Sequence, residues 1–280
     1  MKKNNNSITC NGELIDLNTP KVMGILNLTP DSFFDGGKYS SEKKILKQTK
    51  KMLKDGATFI DIGAYSSRPN AKHITETEEL NRLLPIIKLL IKTYPKILIS
   101  VDTFRSKVAD EVLKNGACMI NDISGGNLDE NIFSIIAKHQ VPYVLMHMKG
   151  SPQTMQNSPN YNDIIIELEN FFTEKINILK EFKIDDIILD LGFGFGKTLE
   201  HNYSLLNNLE KFNALNYPIL TGISRKSMLS NLLNSTPKKM KNATTIANTI
   251  ALQKGTKILR VHDVKEAMEC VKIVEFMKGN

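Results

Sequence analysis

Eight short apolar runs, each followed by a longer helix-period stretch, constrain this chain more than any other feature. The runs are VMGIL (22–26), TFIDI (58–62), ILISV (97–101), CMI (118–120), YVLM (143–146), IIL (187–189), PIL (218–220) and ILRV (258–261). Each is too short for a helix, and most are β-branched or continuously apolar, as strands buried on both faces are. The intervening stretches repeat apolar residues every three or four positions, which places them on one helical face. Ile45, Leu46, Met52 and Leu53 form one such set, and Leu80, Leu83, Leu84, Ile87, Leu90 and Ile91 a second. Further sets are Ile164, Ile165, Leu168, Phe171, Phe172, Ile176 and Leu179, then Leu205, Leu206, Leu209 and Phe212, and finally Val264, Ala267, Met268, Val271 and Val274. Eight consecutive strand–helix units predict an α/β fold closed as a (β/α)8 TIM barrel, with an open doubly wound sheet as the alternative. Ahead of the barrel, ITCNGELIDL (8–17) with Asn11-Gly12 at its centre reads as a β-hairpin positioned to cover the barrel floor. The expected organisation is one domain over 1–280, with the hairpin in 1–20 and the barrel in 21–280.

With 41% hydrophobic residues in 280, the chain can build one large core. Its net charge of +7 keeps such a protein dissolved and suits a polyanionic small substrate. The lysines are spread over many segments, with no basic arm and no aromatic–basic interleaving, so no nucleic-acid partner is expected. Cys10, Cys118 and Cys270 are odd in number, widely spaced and lack a CxxC pair. That argues against a disulfide framework or structural zinc and fits a reduced, cytoplasmic setting. The opening MKKNNNSITC has no apolar stretch behind its lysines and does not read as a secretory signal. The most apolar run, LLPIIKLLI, is short and broken by Pro85 and Lys88, so no membrane association is expected.

The residues closing the runs are unusually polar. They are Asn27; Ser66, Ser67 and Arg68; Asp102; Asn121 and Asp122; His147; Asp190; Ser224, Arg225, Lys226 and Ser227; Arg260 and His262. Catalytic groups of such barrels come from the C-terminal strand ends. A helix N-cap is the competing role for any single one, and Thr103 and Asp263 read as caps. Polar groups at all eight ends call for partners or ligands. The Asp and Asn groups suit a flat, amine-rich heterocycle, whereas Arg, Lys and His suit phosphate. LGFGFGKT (191–198) matches neither a Walker A loop nor GxGxxG. It reads as a close-approach loop with Lys197 available for structure or for an anion. His73, His139 and His201 read as surface or capping residues. Residues 28–40, with Phe33 and Phe34, and residues 64–74 are long enough for lids or binding loops. No HExxH or Cys/His cluster supplies a zinc cage, although a magnesium ion shared with substrate phosphates needs only one or two protein oxygens.

In order along the chain, MGILNLTPDSFFDGG (23–37), DIGAYSSRPNA (61–71), SVDTF (100–104), INDISGG (120–126), LMHMKGSPQTMQ (145–156), DLGFGFGK (190–197), GISRKS (222–227) and RVHDV (260–264) resemble the signatures of the dihydropteroate synthases. The resemblance implies a pterin-binding barrel enzyme that joins 6-hydroxymethyl-7,8-dihydropterin diphosphate to p-aminobenzoate in folate synthesis. It assigns Asp102, Asn121, Asp190, Lys226 and Met146 to the pterin, and Asn27, Arg68, Arg260 and His262 to the diphosphate. Phe33, Ser67, Pro69 and Ser227 go to p-aminobenzoate, with Lys226, Arg68 and Asp35 as catalytic residues and Asp31 beside Asp35 in the first loop. Magnesium on Asn27 as cofactor, sulfonamide binding in place of p-aminobenzoate, and a homodimer belong to the same implication. The chain departs from the pattern in two places. Gly-Glu-Ser-Thr-Arg-Pro-Gly appears as Ala64-Tyr65-Ser66-Ser67-Arg68-Pro69-Asn70, and Asp-Pro-Gly as Asp190-Leu191-Gly192. A pterin-dependent methyltransferase and a non-catalytic pterin binder are the rival readings.

Overall fold

A computed structural model describes residues 6–28, 38–66, 73–155 and 159–279, with side chains from residue 42 onward in the first helix. The chain opens with an antiparallel hairpin, β1 (Ser7–Cys10) and β2 (Glu13–Asp16). Its turn residues Asn11 and Gly12 both have positive φ (51° and 76°), as a type I′ turn requires. Eight parallel strands follow: β3 (Lys21–Asn27), β4 (Phe59–Gly63), β5 (Leu98–Asp102), β6 (Met119–Asp122), β7 (Tyr143–Met146), β8 (Ile187–Asp190), β9 (Ile219–Thr221) and β10 (Ile258–Val261). They fall on the eight apolar runs to within a residue or two. Because β10 pairs with both β9 and β3, the sheet closes, and the open-sheet alternative is excluded.

The helices among the described residues are α1 (Lys38–Lys54), α2 (Glu76–Thr93), α3 (Ser106–Lys114), α4 (Ile132–His139), α5 (Ile164–Glu181), α6 (Leu199–Asn207), α7 (Ser227–Leu232), α8 (Lys241–Gln253) and α9 (Val264–Lys278). Their apolar stripes meet the outward faces of the strands, as Leu83, Ile87 and Leu90 of α2 do with Ile60, Ile62, Ile99 and Val101. Inside the barrel, Met23, Phe59, Met119, Val144, Ile188, Leu220 and Ile258 fill the lower lumen. Ile8, Cys10 and Leu17 of the hairpin seal it from below. Each such side chain contributes roughly 1.5–3 kcal/mol on burial, and Thr9 N, donating to Asp186 Oδ2 at 2.9 Å, fixes the hairpin to the barrel. The hairpin therefore occupies the floor, as its position in the sequence suggested. The three cysteines are free and buried.

Strand side chains alternate between faces. Two residues above the apolar layer, the inward positions carry Asp61, Asn121, Met146, Asp190 and Arg260, so the inner face of β4, β6, β8 and β10 changes from apolar to polar on approaching the C-terminal end, while β7 keeps Met146 there.

Several sequence expectations need correcting. Thr103 is not a helix cap: α3 starts at Ser106, and its first amide donates to Asp129 Oδ2 at 2.7 Å, a partner from the loop after β6. Asp263 precedes α9 but makes no capping bond, because its carboxylate is taken by Arg225. Leu209 and Phe212 leave the helix of Leu205 and Leu206 and lie on a 3₁₀ segment, Leu209–Leu215. α1 starts at Lys38, within the stretch read as loop. His201, in contrast, closes a capping box with Thr198 at the start of α6, as its context indicated.

Candidate active site

The upper inward layer is organised around Asp61, which is fully buried on β4. Its carboxylate accepts from Ser100 Oγ (2.6 Å), Asn121 Nδ2 (3.2 Å) and Arg260 Nε (2.7 Å). Arg260 Nη2 reaches on to Asp102 Oδ2 at 2.8 Å. Burial works against the Arg260 charge, but Asp61 and Asp102 outweigh it and hold the guanidinium above its ordinary value. Burial pushes the Asp102 carboxyl up to about 7, against the pull of Arg260 and with the repulsion of Asp61. Strand register sets Asn27 beside Gly63, Gly63 beside Asp102, and Asp102 beside Asn121, so adjacent strands deliver these groups at one level.

On the opposite side, Asp190 ends β8 with 4% of its surface exposed. Its Oδ1 accepts from Gly192 N at 2.8 Å, while Oδ2 has no donor among the described residues. Burial raises its pKa, opposed first by the charge of Lys226. Lys226 immediately precedes α7, donates to the Phe193 carbonyl, and stands 4.6 Å over the Phe195 ring. Burial lowers its ammonium to about 8, with Asp190 resisting. Between these groups lies an apolar wall of Phe104, Ile123, Met146, Met148 and Met155, flanked by Tyr65 and Phe195. The site thus joins a buried acidic rim, two cations and an apolar face, a combination suited to a flat heterocycle bearing N–H donors.

The predicted pterin residues Asp102, Asn121, Asp190, Lys226 and Met146 are brought together here. Arg260 joins them, held by two carboxylates, with Nη1 alone lacking an acceptor among the described residues. His262 stands at the rim, its Nδ1 3.0 Å from Ser224 Oγ. Ser227 is exposed at the first position of α7. Asn27 is half-buried at the end of β3, and its side chain has no hydrogen-bond partner among the described residues. Asp31, Phe33, Asp35, Ser67, Arg68 and Pro69 lie outside the described residues.

Other strand-end groups serve the scaffold. Asp122 faces away from the mouth, accepting from Ser124, Gly126 and Tyr143. Arg225 grips Asp263 with two bonds of 2.9 and 2.7 Å and so anchors the turn that carries Lys226. Lys197 is buried against the carbonyls of His147, Gly192 and Phe195 and against His147 Nδ1, so it ties two loops together and is committed to structure, not to an anion. Burial, then the Lys197 charge, hold His147 neutral, with a pKa of about 2. Gly192 has φ +66°, and a Cβ there would lie 1.9 Å from the His147 carbonyl oxygen, which bears out the close-approach reading of that loop.

Sequence reasoning missed Asp61 and Ser100. Both sit within runs otherwise apolar, TFIDI and ILISV, and a polar residue at an inward strand position was the available signal. Phe195 and Tyr65 had no comparable signal, since only tertiary contact sets them at the mouth.

For magnesium, the donor set among the described residues is small. Among the described residues, no cluster of three or more His, Cys, Asp or Glu could cage an ion. Asn27 offers at the rim a hard oxygen with no hydrogen-bond partner among the described residues, which fits an ion that takes most of its ligands from phosphate and water.

The family described as pterin binding enzyme matches residues 23–262. A dihydropteroate synthase of Escherichia coli K12 is 42% identical over 266 residues, covering 94% of each chain. One from Bacillus subtilis is 43% identical over 258 residues, covering 91% of this chain and 88% of its own. Among solved structures, the Yersinia pestis dihydropteroate synthase in a sulfonamide drug complex superposes with a TM-score of 0.91 at 42% identity, covering 98% of this chain and 100% of the other. The Xanthomonas albilineans enzyme with 4-aminobenzoic acid gives 0.91 at 33% identity, with 99% of both covered. The fold and the mouth define a pterin-binding barrel enzyme. Within that class the chain belongs to the dihydropteroate synthases, transferases of folate synthesis.

Proposed function

We propose that the barrel mouth forms 7,8-dihydropteroate and diphosphate from 6-hydroxymethyl-7,8-dihydropterin diphosphate and p-aminobenzoate by a dissociative route. The observation that carries this reading is Asp190. Asp190 is almost fully buried, with Oδ1 taken by the Gly192 amide and Oδ2 without a donor among the described residues, so it can accept from a ligand, and the aminopyrimidinone edge of a pterin presents parallel N–H groups of the right kind. Asn121, fixed through Nδ2 on Asp61, offers its carbonyl oxygen to the same ring. Met146 and Phe195 take the ring face.

As the C–O bond to the diphosphate lengthens, its electrons pass to the leaving group and positive charge spreads into the pterin. Asp102 and Asp190 face that developing charge, while Arg260 Nη1 and His262 oppose the negative charge leaving. Ser224 Oγ, 3.0 Å from His262 Nδ1, holds that ring at the rim. Arg68 belongs to the same anion set. Asn27 would hold magnesium, which when bound neutralises diphosphate charge. The arylamine attacks the methylene carbon and then loses a proton to solvent. Catalysis is positioning and charge stabilisation, with no covalent enzyme intermediate. Lys226 and Ser227 at the start of α7, with Phe33, Ser67 and Pro69, form the p-aminobenzoate side, and Asp35 orders the amine. Sulfonamides compete there, in keeping with the drug complex of the Yersinia relative.

Among the described residues, no helix is long and apolar enough to cross a membrane. A cytoplasmic homodimer that takes small-molecule substrates and binds no nucleic acid completes the proposal. The test incubates purified protein with both substrates and magnesium, with and without chelator, and follows dihydropteroate and diphosphate. Magnesium-dependent release of both in equal amounts is the expected result. Pterin binding without turnover would shift the reading to a methyltransferase or a non-catalytic binder.

A further inference from the structure

Tyr65, which stands where the family pattern has a glutamate, joins two loops across the mouth. Gln153 Nε2, from the loop after β7, donates to Tyr65 Oη at 2.8 Å. The same oxygen lies 3.3 Å from His73 Nδ1. His73 Nε2 is 3.2 Å from Arg105 Nη2, which also donates to the Ile74 carbonyl at 2.7 Å. Arg105 is held in turn by the fully buried Glu79 at 2.6 Å. The Tyr65 ring stands edge-on to Phe104, with centroids 5.1 Å apart, and flanks the apolar wall containing Met146.

The protons of this chain can be assigned. A guanidinium only donates, so His73 Nε2 accepts and its proton sits on Nδ1. His73 and Gln153 then both donate to Tyr65 Oη, filling its two lone pairs. The phenol's own proton is left with no acceptor among the described residues. The oxygen is thus held from two loops at once, while its ring is held by Phe104 and Arg105.

We infer that Tyr65 is a positioning residue for the pterin substrate, bracing the loops after β4 and β7 so that the apolar wall keeps a fixed spacing from Asp102 and Asp190. The inference rests on the pterin reading of the mouth given above. Gln153 is the second half of the brace, and Arg105 with Glu79 is its buried anchor.

The experiment compares wild type, Tyr65→Phe, Gln153→Ala and the double variant, measuring steady-state constants for both substrates and calorimetric binding of the pterin diphosphate alone. Tyr65→Phe keeps the ring and removes both bonds to oxygen. The expected result is a KM and Kd for the pterin diphosphate raised about fivefold, with kcat and the p-aminobenzoate KM changed less than twofold. Gln153→Ala moves the same constants in the same direction, and the double variant is no worse than Tyr65→Phe, since Tyr65→Phe already removes the bond that Gln153→Ala breaks. An unchanged pterin Kd in both single variants, a loss in kcat alone, or effects that multiply in the double variant would overturn the inference. If Tyr65→Phe fails to fold, Gln153→Ala with its Kd decides the matter. Wild type without turnover would remove the proposed reaction, whereas wild-type turnover with insensitive variants would remove only the brace.

Discussion

Asp61 on β4 and Arg260 on β10 are bonded at 2.7 Å inside the barrel mouth, and Asp61 has no exposed surface. The pair comes from opposite ends of the sequence and meets only because β10 returns to β3. Removing one member of a buried charged pair strands the other, at a cost of about 3–5 kcal/mol. Asp61→Asn keeps the shape and hydrogen-bonding capacity but not the charge. Its expected effect is at the low end of that range, read as a lower urea midpoint at constant m-value. The released guanidinium also turns towards Asp102, so kcat/KM should fall roughly tenfold or more. Wild-type midpoint and kcat/KM together would show that Arg260 is oriented by other groups.

The pH profile should be narrow. Asp102 titrates at about 7 and Lys226 at about 8. Below the first value Asp102 gains a proton and ceases to be a pure acceptor. Above the second, Lys226 loses the charge that faces Asp190. Thus kcat/KM for the pterin substrate should rise with pH through about 7 and fall through about 8. Asp102→Asn should abolish the acid limb and keep the alkaline one. An acid limb unchanged in that variant would assign it to another group.

Lys226→Ala and Asp190→Ala should each lose at least about a hundredfold in kcat/KM, in line with the loss of a buried charge-stabilising contact. Both residues stand at the mouth, outside the lower apolar lumen, so circular dichroism should remain that of a folded barrel. Wild-type turnover in either variant would contradict the site.

Asn27 is predicted to act through the metal. Titration of Asn27→Ala with magnesium should show half-saturation raised roughly tenfold, with activity recovered at excess metal. Chelator should abolish turnover of wild type and leave its far-ultraviolet spectrum unchanged. Equal half-saturation for the two proteins would place the ion elsewhere.

Gly192→Ala tests the loop after β8. The new methyl would lie 1.9 Å from a backbone oxygen at a positive φ, and neither condition can be relieved by a side chain. The expected loss is about 2 kcal/mol or more in urea unfolding, together with a weakened Asp190, whose Oδ1 is bonded to the Gly192 amide. Unchanged stability would mean that the His147 carbonyl shifts freely, against its bond with Lys197.

The sequence by itself determined the eight strands, the hairpin and the level of the site. Apolar runs flanked by turn-forming residues and helical stripes are local properties, and the two-residue strand period sends alternate side chains inward whatever the rest of the chain does. Asp102, Asn121 and Asp190 were legible for that reason, each being polar at the end of such a run, and Lys226 through the GISRKS motif that follows the seventh run. Tertiary structure decided which polar residues face the ligand and which serve the scaffold. Asp122 and Asp102 are both strand-end aspartates, yet one ties the loop after β6 and the other meets Arg260. Lys197 and Lys226 are both loop lysines, yet carbonyls close around the first while the second stands at the mouth over Phe195. Arg225 and Arg260 divide in the same way, one taken by Asp263 and the other shared by Asp61 and Asp102. Partners so distant in sequence leave no local periodicity to read, because barrel closure, not the spacing of residues along the chain, brings their charges within hydrogen-bonding reach.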